Sequence, residues 1–274
     1  MKNITFTLIF FLCCIQTAQS QYVIEQLSNI NGLSNSSINY LMEDSQHTLW
    51  IGTWDGLNAY DGREVKTYRY NKDKKSISHN IIRGIVEQDS MNIWITTDGG
   101  LNRWSRKTHT FDRFFEKESR MSLAVTANST LICYLNSRHW YYFDETRQDF
   151  IELERLNTAN VNKIYIDRED NIYTLLNNRQ IMKGRIIFEN HAPLITEETL
   201  LYEGEYIADI LLSDDKLIIN YGSYLEAIDI AHYSRQRVET PGKTVAEISY
   251  RNGLLLMRYS NGGCGAYDFR RNKL

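Results

Sequence analysis

The fold is decided by two matching stretches of sequence, Glu43-Asp44-Ser45-Gln46-His47-Thr48-Leu49-Trp50-Ile51-Gly52-Thr53 and Glu87-Gln88-Asp89-Ser90-Met91-Asn92-Ile93-Trp94-Ile95-Thr96-Thr97. Their tryptophans lie 44 residues apart. Each copy also continues alike, through Asp55-Gly56-Leu57-Asn58 and through Gly99-Gly100-Leu101-Asn102. Self-similarity at this period indicates an array of repeated supersecondary units.

Weaker copies extend the repeat towards the end of the chain. The positions equivalent to the first tryptophan are Trp50, Trp94, Ile132, Tyr173, Ile218 and Leu255, with spacings of 44, 38, 41, 45 and 37 residues. Variation of this size is typical of units that differ in loop length. The six anchors predict six units, at about residues 31–73, 74–117, 118–155, 156–199, 200–240 and 241–274.

Each unit predicts four short strands, which in the first unit are residues 37–43, 49–53, 57–60 and 65–70. The breaks between them carry turn residues such as Asp55-Gly56 and Asp61-Gly62. No segment keeps a helical period over twelve residues. Four-stranded units of about 40–45 residues predict an all-β propeller with about six blades.

The two ends of the repeat array bear on ring closure. The last unit has room for three strands, and residues 22–27 before the first unit are strand-like. We expect residues 22–27 to pair beside the third strand of the last unit, because an open ring leaves sheet edges exposed. The alternatives are an incomplete seven-bladed ring and a truncated gene product. The propeller domain is then expected to span residues 21–274.

The N-terminus has the pattern of a secretory signal peptide. Lys2 precedes an apolar run from Ile4 to Ile15, and Ala18-Gln19-Ser20 supplies small residues for cleavage between Ser20 and Gln21. Residues 1–20 are therefore predicted to direct export, with an uncleaved anchor as the alternative. No later segment reaches eighteen apolar residues, so no membrane span is expected in the mature chain.

Composition excludes several classes of protein. The chain has 31 basic and 34 acidic residues, so its net charge of −3 does not favour nucleic acid as a partner. With 42% hydrophobic and 12% aromatic residues, the chain can bury a large core. Cleavage would leave Cys133 and Cys264, which could pair in an exported protein but are expected to be two unpaired and largely buried thiols.

The first two units resemble a known family of repeats. Gly32-Leu33-Ser34, Leu49-Trp50-Ile51-Gly52-Thr53 and Asp55-Gly56-Leu57-Asn58 closely resemble the two-component regulator propeller repeat, and the second copy is similar over Ile93-Trp94-Ile95-Thr96-Thr97 and Gly99-Gly100-Leu101-Asn102. The resemblance covers residues 22–116, and beyond them only the strand rhythm persists.

The resemblance implies a sensor. Repeats of this family form the periplasmic part of hybrid two-component systems, best represented in gut Bacteroidetes, that detect oligosaccharides and signal to a histidine kinase. It therefore implies periplasmic location, further propeller or sensor domains and a homodimer partner. The kinase lies in regions absent from this chain, so no enzymatic activity is expected. A stand-alone protein-interaction propeller is the alternative, and a propeller lyase or glycosidase ranks behind it.

Most of the repeated residues are interpreted as structural. Large side chains at mid-strand fill the space between blades, and glycines permit special backbone conformations. The structural set comprises Trp50, Gly52, Thr53, Gly56, Leu57, Trp94, Thr97, Gly100 and Leu101. No phosphate-binding loop, calcium loop or nucleophile elbow is present in the sequence, so no cofactor, metal or catalytic residue is assigned.

Candidate ligand contacts lie in the turns between the second and third strands of each unit. In a propeller with the first strand innermost, these turns share one face with the connections between blades. Aromatic faces and planar polar groups there suit a sugar, which has both apolar and hydroxylated surfaces. The candidates are Trp54, Asp55, Asp98, Arg138, His139, Asn177, Arg179, Tyr221, Tyr224 and Asn261.

Overall fold

The computed structural model describes residues 27–271 with gaps at 137, 154–159, 214, 252 and 270. One turn of 3-10 helix, Asn29–Asn31, precedes a chain of antiparallel strands. The predicted signal peptide and residues 22–26 of the predicted closing strand lie outside the described residues.

Strands that follow one another along the chain form consecutive sheets. The first sheet contains β1 (Ile38–Glu43), β2 (Leu49–Thr53), β3 (Gly56–Tyr60) and β4 (Val65–Tyr68). The second contains β5 (Ile82–Glu87), β6 (Asn92–Thr97), β7 (Gly100–Ser105) and β8 (Thr110–Phe114). The third contains β9 (Met121–Val125), β10 (Leu131–Leu135), β11 (Trp140–Asp144) and β12 (Asp149–Leu153).

The second half of the chain repeats this plan. The fourth sheet contains β13 (Val161–Ile166), β14 (Asn171–Leu176), β15 (Gln180–Glu189) and β16 (Ala192–Glu203). The fifth contains β17 (Asp209–Leu212), β18 (Lys216–Asn220), β19 (Tyr224–Asp229) and β20 (Arg235–Glu239). The sixth contains β21 (Val245–Arg251), β22 (Leu254–Tyr259) and β23 (Cys264–Asp268).

Each sheet is a meander in which neighbours along the chain are hydrogen-bonded, so its strands are named A to D in order. The A strands β1, β5, β9, β13, β17 and β21 contact one another in succession. They are therefore innermost, and the sheets are the blades of a propeller, which confirms the predicted fold. We call the face that carries the B–C turns and the interblade connections the upper face.

All six repeat anchors lie in B strands, where they are at most 1% exposed. The two tryptophans fill the spaces between the first three blades. The Trp50 ring lies 4.8 Å from that of Trp104 in the next blade, and the Trp94 ring lies 4.9 Å from that of Phe143 in the blade after it. Edge-to-face packing of large rings thus holds neighbouring blades together.

Both buried indoles also have a hydrogen-bond acceptor at the turn between strands A and B. Trp50 Nε1 donates to Asp44 at 2.8 Å, and Trp94 Nε1 donates to Gln88 at 2.7 Å. Asp44 and Gln88 occupy the same place in the repeat, six residues before the ring that they hold. A buried N–H group without an acceptor would cost about 1–3 kcal/mol, so each tryptophan requires its partner.

A second buried polar cluster recurs under the upper face. Asn58 accepts a hydrogen bond from the Ser34 backbone N–H at 2.9 Å, and the hydroxyls of Ser34 and Thr53 lie 2.8 Å apart. The second blade repeats the arrangement with Asn102, Ser78 and Thr97, at 2.8 and 2.9 Å. These bonds fasten the segment that leads into each of these two blades to strands B and C of that blade.

Glycine is required at the first position of strand C in the same two blades. Gly56 and Gly100 have φ angles of 133° and 128°, which L side chains rarely adopt. A Cβ at either position would also lie 2.9 Å from a carbonyl oxygen of strand D. The repeated Asp-Gly and Gly-Gly steps are therefore structural, as their positions in the sequence indicate.

Two expectations differ from the structure. Strands β15 and β16 have ten and twelve residues rather than the expected short length, because Asn190 and His191, with φ angles of 49° and 68°, form a tight turn that prolongs the hairpin. The expectation of two buried thiols was wrong for Cys264, which is exposed on the outermost described strand of the sixth sheet. Cys133 is buried, and burial raises the pKa of its thiol.

Replacing Trp94 by alanine should lower the free energy of unfolding by about 3–5 kcal/mol, since it empties the space between two blades. The matched change Trp54→Ala removes a 49% exposed ring and should cost less than about 1 kcal/mol. Urea titrations of the two variants, followed by circular dichroism, measure both values. Equal losses would contradict the structural role assigned to Trp94.

Candidate functional site

The upper face brings the B–C turns to the mouth of the central channel. In all six described blades a backbone hydrogen bond of 2.8–3.2 Å joins the B–C turn, or the adjoining end of strand B, to the segment that enters strand A. The joined pairs are Trp54–Ser37, Asp98–Ile81, Asn136–Arg120, Asn177–Asn160, Ala208–Asn220 and Ser260–Thr244. Side chains of these turns therefore lie beside the first residues of the innermost strands.

Trp54 and Asp98 are linked through Arg83, which stands at the start of strand β5. The Arg83 guanidinium lies 5.2 Å from the Trp54 ring centre. It also donates two hydrogen bonds to Asp98, at 2.7 and 2.9 Å. Arg83 thereby holds the pKa of the Asp98 carboxyl below its ordinary value of 3.8, and the charge of His79 acts in the same direction.

Arg83 and Asp98 also border a cleft of about 680 Å³ at the channel mouth. Its other described lining residues come from the second, third and fourth blades and the connections between them. They are Ser119, Arg120, Met121, Ser122, Tyr134, Asn136, Asn160, Val161 and Asn162. The lining is mostly polar and includes one carboxylate and two guanidinium groups, a composition suited to a ligand with many hydroxyl groups.

Charged and phenolic side chains line the channel below this mouth. Lys163 of the fourth blade donates to Asp209 of the fifth at 2.5 Å. Burial raises the pKa of Tyr40 from the first blade, and the nearby Tyr165 adds to that rise. The A strands thus bring residues from opposite sides of the ring close together.

The sixth blade adds another ion pair to the channel. Glu247 and Arg258 lie 2.7 Å apart. This contact with Arg258 lowers the pKa of Glu247, and the positive charge of Lys163 contributes to the same shift. The channel charges of the fourth, fifth and sixth blades are therefore matched in pairs.

The ten predicted contact residues do not form one cluster. Asp55 is engaged by Arg69, at 3.2 Å, and by the side-chain amide of Asn80, at 3.0 Å, so its carboxylate ties the turn to the first interblade connection. His139 Nδ1 lies 2.6 Å from Glu152 on strand D of the same blade. Arg138, Asn177, Arg179 and Asn261 are exposed in their turns.

Tyr221 and Tyr224 form a separate aromatic cluster towards the outer strands of the fourth and fifth blades. Their rings stack at 4.5 Å, and Tyr202 of strand β16 lies 5.9 Å from Tyr221. Arg237 of strand β20 lies 3.7 Å from the ring centre of Tyr224. Among the predicted residues, Trp54 and Asp98 are those that the structure links to the cleft, with Arg138 in the same turn as Asn136.

The sequence prediction did not include five polar residues that line the cleft, four from A strands and interblade connections and one, Asn136, from a B–C turn. These are Arg83, Arg120, Asn136, Asn160 and Asn162. A signal was available for Arg83, which is a charged residue at the second position of the otherwise mostly apolar strand β5, directly after the interblade connection. A charged residue at the start of an innermost strand lies near the channel mouth. Arg120 lies before strand β9, where no periodic pattern marks it.

Two features are absent from the described residues. They contain no group of three or more His, Cys, Asp or Glu side chains that could hold a metal ion. The described part of the chain also contains no helix of the length and apolarity needed to cross a membrane.

Comparison with known proteins identifies the repeat. Residues 32–55 match the family described as two-component regulator propeller, so the resemblance seen in the sequence is confirmed. A histidine kinase P4 of Formosa agariphila is 40% identical over 83 residues, which make up 28% of this chain and 6% of that protein. The chain therefore spans only a small part of that kinase.

Solved structures with the same fold include extracellular domains of bacterial signalling systems. The extracellular domain of a putative hybrid two-component system of B. thetaiotaomicron has 16% identity and a TM-score of 0.69, covering 93% of this chain and 36% of that domain. That of a putative one-component system of the same organism has 19% identity and a TM-score of 0.72, covering 93% and 38%. This chain corresponds to little more than a third of either domain.

The fold by itself does not decide between binding and catalysis. A virginiamycin B lyase from Staphylococcus aureus has 11% identity and a TM-score of 0.60, covering 86% of this chain and 85% of the lyase. The nature of the site must therefore be argued from its own side chains.

The Arg83→Gln variant should raise the pKa of Asp98 from its depressed value towards 3.8, because the carboxylate loses its two charge-assisted hydrogen bonds. Because the pKa of Asp98 is lower in the folded protein than in the unfolded chain, the ion pair stabilises the fold at neutral pH. This contribution is lost as the pH falls below 3.8 and through the folded-state pKa of Asp98. A carbon-detected NMR titration of Asp98 measures the change. Arg69→Gln, which removes the partner of Asp55, is the control and should leave Asp98 unchanged.

Proposed function

We propose that this chain binds an oligosaccharide at the upper-face cleft and acts as part of the extracellular sensor of a two-component system. The observation that supports this most is a regulator-propeller repeat, at residues 32–55, in a propeller whose channel mouth holds Trp54, Arg83 and Asp98. The extracellular domains that share the fold support the same assignment.

The cleft has the chemistry that a sugar requires. Trp54 offers an exposed aromatic surface for the C–H face of a sugar ring, and the amides of Asn136, Asn160 and Asn162 can donate to and accept from hydroxyl groups. Arg83 fixes the positions of Trp54 and Asp98 relative to each other. A ligand held here contacts several blades at once, so its binding energy can favour one packing of the propeller against a neighbouring domain.

The proposed role is binding without catalysis. Glycoside hydrolysis ordinarily needs a pair of carboxyl groups, one to protonate the leaving oxygen and one to act as base or nucleophile. Asp98 is the one carboxylate among the described lining residues of the cleft, and Arg83 engages both of its oxygens. A low pKa keeps Asp98 ionised, which makes it a poor acid at neutral pH.

Export, location and assembly form part of the same proposal. Residues 1–20 would be removed as a signal peptide, which places the mature chain in the periplasm. Residues 22–27 would close the ring beside strand β23, the outermost described strand of the sixth blade. Further propeller or sensor domains and a homodimer partner would carry the signal onward.

Replacing Trp54 and Arg138 together by alanine should weaken oligosaccharide binding by about tenfold or more, since an aromatic contact and a guanidinium group are lost. The matched control is Met91→Ala with Arg63→Ala, which removes two exposed side chains from turns on the opposite face. Isothermal titration calorimetry against a panel of oligosaccharides gives the affinities, and thermal melts show that both proteins fold. Equal affinity in the two double variants would refute the location of the site.

Export predicts a defined mature N-terminus. Protein recovered from the periplasmic fraction should begin at Gln21, because Ala18 and Ser20 present small side chains to the peptidase. Mass spectrometry of the N-terminal peptide tests this. Ser20→Lys should block processing and leave residues 1–20 attached, whereas an unchanged mature mass in that variant would contradict the cleavage site.

A further inference from the structure

We propose that Arg120 forms a subsite for an anionic group, so that the oligosaccharide bound at the cleft is acidic, carrying a carboxylate or a sulfate ester. This inference rests on the proposed function and specifies the ligand class of the same site. It starts from the charges that border the cleft, which are Arg83, Asp98 and Arg120 among the described lining residues.

Two of these charges cancel each other. Arg83 and Asp98 form a bidentate pair with nitrogen–oxygen distances of 2.7 and 2.9 Å. Such a pair is the strongest common form of charge-assisted hydrogen bonding, and it leaves Arg83 little capacity for a second anion. Among the described lining residues, Arg120 is therefore the one positive charge without a described counter-charge.

The backbone of Arg120 is anchored while its guanidinium remains available. Its carbonyl oxygen accepts a hydrogen bond from the Asn136 backbone at 3.0 Å, which ties the connection to the B–C turn of the third blade. The side chain is exposed, and no described residue forms a hydrogen bond or ion pair with its guanidinium. An arginine held in this way presents a planar fork of donors that matches a carboxylate or a sulfate.

No described carboxylate forms an ion pair with Arg120. Glu118, two residues earlier, lies near Tyr141 of strand β11. Burial is the main cause of the raised pKa of Tyr141, and the charges of Glu152 and Glu118 add to it. Glu152 itself is paired with His139 at 2.6 Å. In the channel below, Lys163 is paired with Asp209, and Glu247 with Arg258. No other described carboxylate lines the cleft.

Neutral polar groups surround this charge. Ser119 and Asn136 lie in the connection and turn on one side, and Asn160 and Asn162 lie on the next blade. They can bind hydroxyl groups on the sugar units that flank an anionic substituent. Together with the exposed ring of Trp54, the arrangement fits a chain of sugars that bears a negative charge at one unit.

The test compares matched ligands on the whole protein. Tetragalacturonic acid, its fully methyl-esterified form and a sulfated galactan tetrasaccharide are titrated into wild-type protein, Arg120→Gln and Arg63→Gln. Arg63 is exposed in a C–D turn on the opposite face, so its variant carries the same charge change away from the cleft. Calorimetry at two salt concentrations provides the affinities.

An acidic tetrasaccharide should bind wild-type protein and Arg63→Gln at least about tenfold more tightly than the neutral ester, and Arg120→Gln should remove that preference. Whether the uronate or the sulfate binds more tightly identifies the anionic group. Equal binding of charged and neutral forms, or an unchanged preference in Arg120→Gln, would overturn the subsite while leaving the proposed function intact. Failure of every oligosaccharide in the panel to bind would overturn both.

Discussion

The rest of the structure depends on the packing of one large ring between each pair of neighbouring blades in the first half of the propeller. Trp50 and Trp94 are almost completely buried, and each meets aromatic rings of the following blade. A four-stranded sheet cannot bury both of its faces by itself, so its neighbours must cover them. Because the indole N–H groups are held by Asp44 and Gln88, the A–B turn fixes the orientation of each ring as well as its burial.

The same repeat determines the shape of the upper face. The buried asparagines Asn58 and Asn102 fasten the preceding interblade connections, and the glycines at the start of strand C make the B–C turns tight. The candidate site is assembled on these two kinds of segment. Structural residues of the repeat therefore position Trp54 and Asp98 at the channel mouth while they themselves are buried beneath it.

The architecture could be predicted from the sequence because it depends on repeated, local patterns. Six anchors at similar spacing predicted the six B strands, and turn residues predicted their connections. The candidate site residues stay predictions, and the structure shows only where they lie. Trp54 and Asp98, chosen for their place in the turns, lie at the channel mouth, whereas Asp55, His139 and the tyrosine pair Tyr221–Tyr224 are engaged with outer strands or connections. Whether an exposed polar residue faces the channel or a neighbouring strand depends on tertiary contacts that spacing does not encode.

The proposed role of Arg120 would place recognition in a blade where the sequence repeat is weak. The first two blades keep the repeat closely. The two charged residues that they place at the cleft, Arg83 and Asp98, form an ion pair with each other. The third blade has Ile132 in place of the strand B tryptophan and matches the repeat weakly. The connection that enters it is nevertheless joined to the B–C turn by the backbone hydrogen bond from Asn136 to Arg120. The backbone scaffold thus persists where the side chains have changed. Because the fold depends on buried repeat residues and on backbone hydrogen bonds, the turns can carry different polar side chains at the channel mouth while the propeller remains folded.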